Sequence, residues 1–254
     1  MEKINEISFS QAMKNSSGYT SLLEKEKWDI LENLYNRDHD TFITKIPKII
    51  HQIWVGGPPP LQILELVNSI KNTNPGFDHI LWTDKEIQAL EFKNKDIFNQ
   101  CINLGQKSDI LRYALLEQFG GIYLDTDFIG IKSFDSLLHY DFFTGVAYDR
   151  EPTMFNGLIG STKNNALIKS LNDIDGSSIQ NNKQCEHVFN TTGPWYMGNK
   201  FFDEYKNVEA IVSLPVSFFY AFPNFLRDQV KGTSYNNYIE KESICVHLWH
   251  SSWM

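Results

Sequence analysis

Asp125 and Asp127 stand one residue apart at the end of the run KSDILRYALLEQFGGIYLDTDF, residues 107–128. Carboxylates at this spacing are hard oxygen ligands suited to Mg²⁺ or Mn²⁺, and so small a protein ligand set leaves room for phosphate oxygens to complete the shell. Spacing alone proves little, because it recurs at Asp38 and Asp40 in DHD and at Asp173 and Asp175 in DID. Context separates the three. DHD lies where a helical pattern runs out. DID stands between a helical pattern and Gly-Ser-Ser, where aspartate serves local backbone hydrogen bonds. The middle pair alone follows an apolar strand, IYL, which is delivered by a helix and a double glycine. Two like charges brought out at the mouth of a buried strand repel each other, and a bound cation is their natural compensation.

A second pair lies just upstream. Asp109 and Arg112 are three residues apart and therefore share a helical face. Such a pair is either a solvated ion pair or a grip, in which the carboxylate takes sugar hydroxyls and the guanidinium takes a phosphate. The helix that carries it has a broad apolar stripe through Ile110, Tyr113, Ala114, Leu115, Leu116 and Phe119, and Gly120 and Gly121 close it.

The remaining elements place these groups. IPKIIHQIWVGGPPP reads as a buried strand ended by glycines and prolines, LQILELVNSIKNTNPG as a helix and FDHILWTD as a second strand. Together they make a βαβ unit with a parallel sheet, so the fold class is α/β. Further strands are expected at FFTGVAY, FNGLIGS, EAIVSLP and SICVHLW, and helices near 164–172 and 195–206. In open sheets of this kind ligands bind beyond the carboxyl ends of the strands, where Asp125 emerges. Residues 1–45 are polar, with a helical repeat through Leu22, Leu23, Trp28, Ile30, Leu31 and Leu34. They are expected to form a small helical extension to a domain spanning 46–254. His51 is expected to be a packed strand histidine near the sheet edge.

The formal net charge is -8, from 31 acidic and 23 basic residues, which leaves no overall electrostatic footprint for nucleic acid. An anionic ligand therefore needs a local cation. No apolar run approaches the roughly 20 residues that span a bilayer, and the first residues lack the apolar core of a signal peptide. Cys101, Cys185 and Cys245 are an odd number with no C-x-x-C pair, which reads as buried small hydrophobes in a reducing compartment. A cytoplasmic setting is the expectation, with the inner face of the membrane and a secreted effector as alternatives.

Ser108, Asp109, Arg112, Gly120, Gly121, Tyr123, Asp125 and Asp127 fill every position of a pattern, Ser-Asp-x-x-Arg, helix, Gly-Gly-x-Tyr-x-Asp-x-Asp. This block resembles the DXD sugar transferases of glycosyltransferase family 32, which takes in fungal α-mannosyltransferases and bacterial capsule and lipopolysaccharide enzymes. It is also similar to the block of the large glucosylating toxins. IPKIIHQIWVGG, FNGLIGS, TTGPWYMG and HLWHSSW resemble further family blocks, in the family's order, over about residues 46–254. The resemblance implies a GT-A fold with a mostly parallel central sheet. It implies a nucleoside-diphosphate sugar donor, UDP-linked by preference, a Mn²⁺ or Mg²⁺ cofactor, and hexose transfer with retention to a glycan or protein acceptor.

Residue by residue, the resemblance implies that Trp54 stacks on the base and that Asp109 and Arg112 hold the transferred sugar. Asp125 then bridges ribose and sugar, Asp127 ligates the metal, and Ser108, Tyr123 and Asn156 line the donor site. At the C-terminal end Ser251 stands where relatives often have glycine. His247 is the chosen third metal contact there, Ser251 or Ser252 the alternative, and Ser252 and Trp253 are expected to close over the donor. The N-terminal 45 residues are a candidate for recruiting the acceptor or a membrane surface. Two rival readings are a haloacid-dehalogenase-type phosphatase, whose pattern wants Thr or Val where Ile129 stands, and a sugar-binding module without chemistry.

Overall fold

The computed structural model describes residues 7–14, 16, 19, 24–38, 41, 43–147, 152–179, 185–208, 211–229 and 234–250. Asp40, Ser251, Ser252 and Trp253 lie outside them. Its strands are β1 (Ile49–Ile53), β2 (Asp78–Trp82), β3 (Gly121–Leu124), β4 (Phe128–Gly130), β5 (Phe142–Val146), β6 (Met154–Ser161), β7 (Ile211–Leu214) and β8 (Cys245–His247). Six of them form one sheet in the order β2-β1-β3-β6-β5-β7, while β4 and β8 form a separate two-stranded ribbon. Within the sheet β6 alone is antiparallel to its neighbours, and the other five strands run one way. The mixed α/β architecture with a mostly parallel sheet is the expected one. β3, β5 and β7 are buried at every position, as strands covered on both faces must be.

Ten α-helices surround the sheet among the described residues: α1 (Phe9–Ala12), α2 (Lys25–Tyr35), α3 (Leu61–Thr73), α4 (Asp84–Gln88), α5 (Lys95–Gln100), α6 (Leu104–Phe119), α7 (Ala166–Leu171), α8 (Cys185–Thr191), α9 (Pro194–Lys200) and α10 (Val216–Phe219). The predicted βαβ unit is β1-α3-β2, with its parallel pairing in place. Near the N-terminus, α2 packs on β7 through buried Trp28, Leu31 and Leu34, and α1 packs against α10. No helix among the described residues is long and apolar enough to cross a membrane. Cys101 and Cys245 are buried free thiols, as expected of small hydrophobes.

α6 sets the position of the site. Its N-cap, Asn103, accepts a hydrogen bond from the Gln106 amide at 3.0 Å. Ile110, Leu111, Tyr113, Leu115 and Leu116 are all fully buried, so the helix is apolar on nearly every side and runs through the core. Whatever polar group sits on it is carried into the interior.

The turn from α6 into β3 needs its two glycines. Gly120 has φ +68° and Gly121 φ +99°, both in the left-handed region. A Cβ on Gly121 would lie 2.5 Å from the Ile49 carbonyl oxygen of β1. His51 pins the same turn. It is a packed strand histidine one strand in from the sheet edge, as its sequence suggested, on a strand paired on both sides. Its Nδ1 accepts from the Trp82 indole at 3.1 Å, so Nε2 carries the proton and donates to the Gly120 carbonyl at 2.9 Å. Burial lowers its pKa to about 4, and the ring is neutral at physiological pH. Gly121→Ala is expected to lower the urea unfolding free energy by about 2–3 kcal/mol, through backbone strain and the Ile49 contact together. A midpoint unchanged from wild type would contradict this account of the turn.

Candidate active site

β3 ends at Leu124 and delivers Asp125, whose backbone is held on both sides: its amide donates to the Gly157 carbonyl at 2.8 Å, and its carbonyl accepts from Gln52 Nε2 at 3.2 Å. The side chain is equally fixed. Oδ1 accepts from the Tyr123 hydroxyl at 2.6 Å and lies 3.2 Å from Arg112 Nη2. The same Nη2 is 3.1 Å from Asp109 Oδ1, so one guanidinium bridges a carboxylate of α6 and one at the end of β3. Arg112 also donates through Nη1 to the Asn156 carbonyl at 2.6 Å and stands 4.4 Å over the Tyr123 ring.

Asp109 and Arg112 are each only 4% exposed, which rules out the solvated ion pair. Asp109 accepts from Asn156 Nδ2 at 2.8 Å and from the Thr192 hydroxyl at 2.9 Å. Burial pushes its carboxyl up to about 6, although Arg112, Thr192 and Asn156 pull the other way. The Asn156 amide is occupied by Asp109 and by the Tyr113 hydroxyl at 3.2 Å. Asn156 therefore positions Asp109 in this arrangement. Ser108 Oγ lies 3.0 Å from the Tyr123 hydroxyl, joining the same network.

Asp127 is held from the other end of the chain. Its carbonyl accepts from the Leu248 amide at 3.0 Å, and its Oδ2 from the His250 amide at 2.8 Å. His247 Nε2 is 2.9 Å from Asp127 Oδ1 and 3.9 Å from Asp125 Oδ2. The close Asp127 contact lies off hydrogen-bonding alignment: both His247 ring nitrogens are buried and neither makes a hydrogen bond. One ligand atom from each of Asp125, Asp127 and His247 falls within 4.8 Å of the others. Two carboxylates and an imidazole with an unpartnered buried nitrogen fit a divalent cation. Burial and the neighbouring Asp127 charge raise the Asp125 pKa against Arg112 and His247. Burial also opposes ionisation of Asp127, but His247 and the His250 amide outweigh it and lower its pKa.

These groups line one cavity of about 510 Å³, with Trp54 on its wall. The loop that carries Trp54 out of β1 is shaped by Asp84, which accepts from the Gly56 and Gly57 amides at 3.2 and 3.0 Å. Of the other two aspartate pairs, DHD includes Asp40, which lies outside the described residues, and DID is elsewhere. Asp175 accepts from the Ser177 amide at 2.9 Å in a short turn and Asp173 pairs with Lys93 on the surface, as a turn assignment requires.

The sequence reading missed several lining and supporting groups. Thr192 sits in the TTGPW block and was passed over there. Tyr113 looked like a member of the apolar stripe, yet its hydroxyl donates to the Thr192 carbonyl at 2.7 Å. Trp249 lines the cavity, packs edge-on to His247 at 4.2 Å and donates to the Phe222 carbonyl at 2.7 Å. Arg227 and Asn224 line the cavity too, on a segment without periodic pattern.

A strand-end carboxylate pair, facing a cavity beyond a mostly parallel sheet, is the arrangement of a nucleotide-sugar transferase domain of the GT-A type. In agreement, residues 60–143 match the family model described as glycosyltransferase sugar-binding region containing DXD motif, so the chain carries that region. Inositol phosphoceramide mannosyltransferase 1 of Schizosaccharomyces pombe is 27% identical over 202 residues, which are 76% of this chain and 63% of that protein. The catalytic domain of alpha-toxin from Clostridium novyi superposes with a TM-score of 0.53 at 12% identity, over 89% of this chain and 81% of that one. The PaToxG glycosyltransferase superposes at 0.51 with 21% identity, over 78% of each chain. These structures share the fold with this chain. The chain spans less than two thirds of the length of the curated relatives it matches.

Arg112→Met is expected to destabilise the fold by about 3–5 kcal/mol at pH 8, because it leaves Asp109 buried without its cation. The sign of the pH dependence follows from the raised Asp109 pKa. The folded state favours the protonated acid, and removing Arg112 raises the Asp109 pKa further, so the variant's deficit shrinks as pH falls toward about 6 and is lost below it. Denaturant titrations at pH 8 and pH 5 measure it, and a deficit that grows at pH 5 would refute the assignment.

Proposed function

We propose that this chain moves a hexose from a nucleoside-diphosphate sugar, with UDP-sugars preferred, to a glycan acceptor, with retention and with Mn²⁺ or Mg²⁺ held by Asp125, Asp127 and His247. The observation that carries the reading is His247. A buried imidazole whose Nε2 lies 2.9 Å from one carboxylate and 3.9 Å from a second, with no aligned hydrogen bond at either nitrogen, gathers three ligand atoms that a cation would complete. A divalent cation there supplies Lewis-acid neutralisation of the diphosphate leaving group.

The chain's own groups take the remaining tasks. Trp54 offers an aromatic face to the base at the cavity wall. Asp109, ionised above about pH 6 and fixed by Arg112, Thr192 and Asn156, accepts from hydroxyls of the transferred sugar. Arg112, charged and immobile, holds Asp109 and Asp125 in place and presents positive potential toward the sugar and phosphates. Asp125 is the ribose and sugar bridge, and Ser108 and Tyr123 fix its orientation. Ser252 and Trp253 complete this reading as donor contacts at the chain end.

Retention is supported by the state of the lining carboxylates. An inverting transfer needs a general base beside the acceptor hydroxyl. Among the described residues the cavity's carboxylates are Asp109, Asp125 and Asp127, and each is already engaged with Arg112 or with the His247 cluster. The phosphatase alternative falls with the glycosyltransferase region found in the chain.

The reading is tested by incubating the chain with UDP-glucose, UDP-galactose, UDP-N-acetylhexosamines and GDP-mannose, with and without Mn²⁺. At least one donor is expected to bind and hydrolyse slowly in a metal-dependent way; no binding and no hydrolysis with any of them would sink it. Asp127→Ala should weaken Mn²⁺-dependent donor binding by roughly 100-fold or more, while Asp175→Ala, in a remote turn, keeps it. Calorimetry on both variants reads this, and equal losses would show that the aspartate pairs had been sorted wrongly. Trp54→Ala should weaken UDP binding by about tenfold, the scale of one lost aromatic-base stack. An unchanged UDP dissociation constant would remove Trp54 from the site.

A further inference from the structure

A second hollow, of about 310 Å³, opens beside the cavity just described, at the small end of the range for ligand sites of roughly 300–1,000 Å³. It is lined by Trp195 at the start of α9 and Phe202, two residues past its end, with Thr153, Asn190 and Asn199, and Lys27 Nζ stands 5.5 Å over the Phe202 ring. Pro194 lines both spaces. Phe189, on the wall of the first, packs edge-on to Trp195 in the second at 5.4 Å between ring centres.

We propose that this hollow is the acceptor subsite and that it takes a sugar ring, so that the acceptor is a glycan or glycosylated headgroup and not a bare polypeptide. The inference rests on the transferase reading above. Three observations favour a sugar. Partly exposed Trp195 offers a flat apolar face, to which the C–H face of a pyranose is complementary. Side-chain amides supply donors and acceptors together, as a ring of hydroxyls requires. The hollow adjoins the cavity in which the donor sugar would lie, so an acceptor seated in it extends toward the transferred group. A peptide-binding groove would be expected to show an open strand edge or a long apolar trough. Here the lining is short and mixed.

Gly198 provides a clean test. It lies within α9 on the wall of the hollow, and a Cβ built on it meets no atom within 4 Å. In Gly198→Leu the Cβ therefore meets open space, the rest of the side chain extends from the wall of the hollow, and glycine is replaced by a better helix former. The probes are the methyl glycosides of mannose, glucose, galactose and N-acetylglucosamine, measured by saturation-transfer NMR with the full chain, without donor and without divalent ion. At least one glycoside should bind wild type and Trp195→Phe. Binding should weaken by about tenfold in Trp195→Ala and in Gly198→Leu, while Gly198→Leu melts at or above the wild-type temperature. Equal binding in Gly198→Leu and wild type, or no glycoside binding to wild type at all, overturns the proposal. Because no donor or metal is present, the outcome is independent of the donor assays, and either reading can fail alone.

Discussion

A buried arginine placed between two aspartates, one on its own helix and the other at the end of the adjacent strand, is the interaction on which the rest of the site depends. Arg112 has to be carried into the core because α6 is apolar on nearly all sides. Once there, its charge is tolerable only if every hydrogen-bonding direction is met. Asp109, Asp125, the Asn156 carbonyl and Ser108 meet them, and the Tyr123 ring covers the guanidinium face. Because these partners come from α6, β3 and β6, the guanidinium fixes three elements relative to one another at the point where the carboxylates emerge. Burial raises the pKa of both carboxyls, and the guanidinium between them pulls each the other way.

On the proposed reading, that arrangement lets an acidic protein hold an anionic donor. The net charge of -8 repels a diphosphate at long range, so attraction must be local. Arg112 is neutralised by its two aspartates and contributes orientation and near-field potential more than net charge. The His247 cluster is the complementary part, a site whose two carboxylates need a cation and whose imidazole needs a partner. One set of groups is complete in itself and rigid; the other is incomplete without a ligand. Binding energy therefore concentrates at the second set, beside groups already fixed by the first.

Much of this was legible in the chain. The βαβ opening, the α6 stripe, the double glycine and the separation of DTD from DID all rest on local patterns with a period or a stop signal, and local patterns survive folding. The burial of Asp109 and Arg112 was not legible, because a three-residue spacing gives a shared face but not the direction in which that face points. Thr192 escaped because it acts on Asp109 from 83 positions away. Tyr113 was counted as core, which it is, and its hydroxyl was overlooked. His51 is packed one strand in from the sheet edge, as read, but its partners, the Trp82 indole and the Gly120 carbonyl, were not legible because they come from 31 and 69 positions away. His247 was selected through family resemblance and not from spacing, since a lone histidine in an apolar strand has no local signal.

How His247 reaches the aspartates is a matter of register. β8 leaves the main sheet and pairs with β4 alone, with Phe128 opposite His247, Ile129 opposite Val246 and Gly130 opposite Cys245. Because successive strand residues face opposite sides, a slip of one position would turn the imidazole away from Asp127 and bring Val246 or Leu248 in its place. Three pairs are a weak basis for register, so other contacts must fix it. The Leu248 amide on the Asp127 carbonyl, the His250 amide on Asp127 Oδ2 and the Trp249 indole on the Phe222 carbonyl continue the pairing past the end of the ribbon. Trp249 takes a left-handed φ of +60° to do so, a backbone conformation that bulky residues avoid unless their surroundings impose it. The strain is located where the last strand turns over the DXD aspartates. Packing of Trp249 against His247, Phe155 and Tyr220 is what holds it there, so the aromatic cluster around the C-terminal turn supports the ligand geometry as directly as the ligands do.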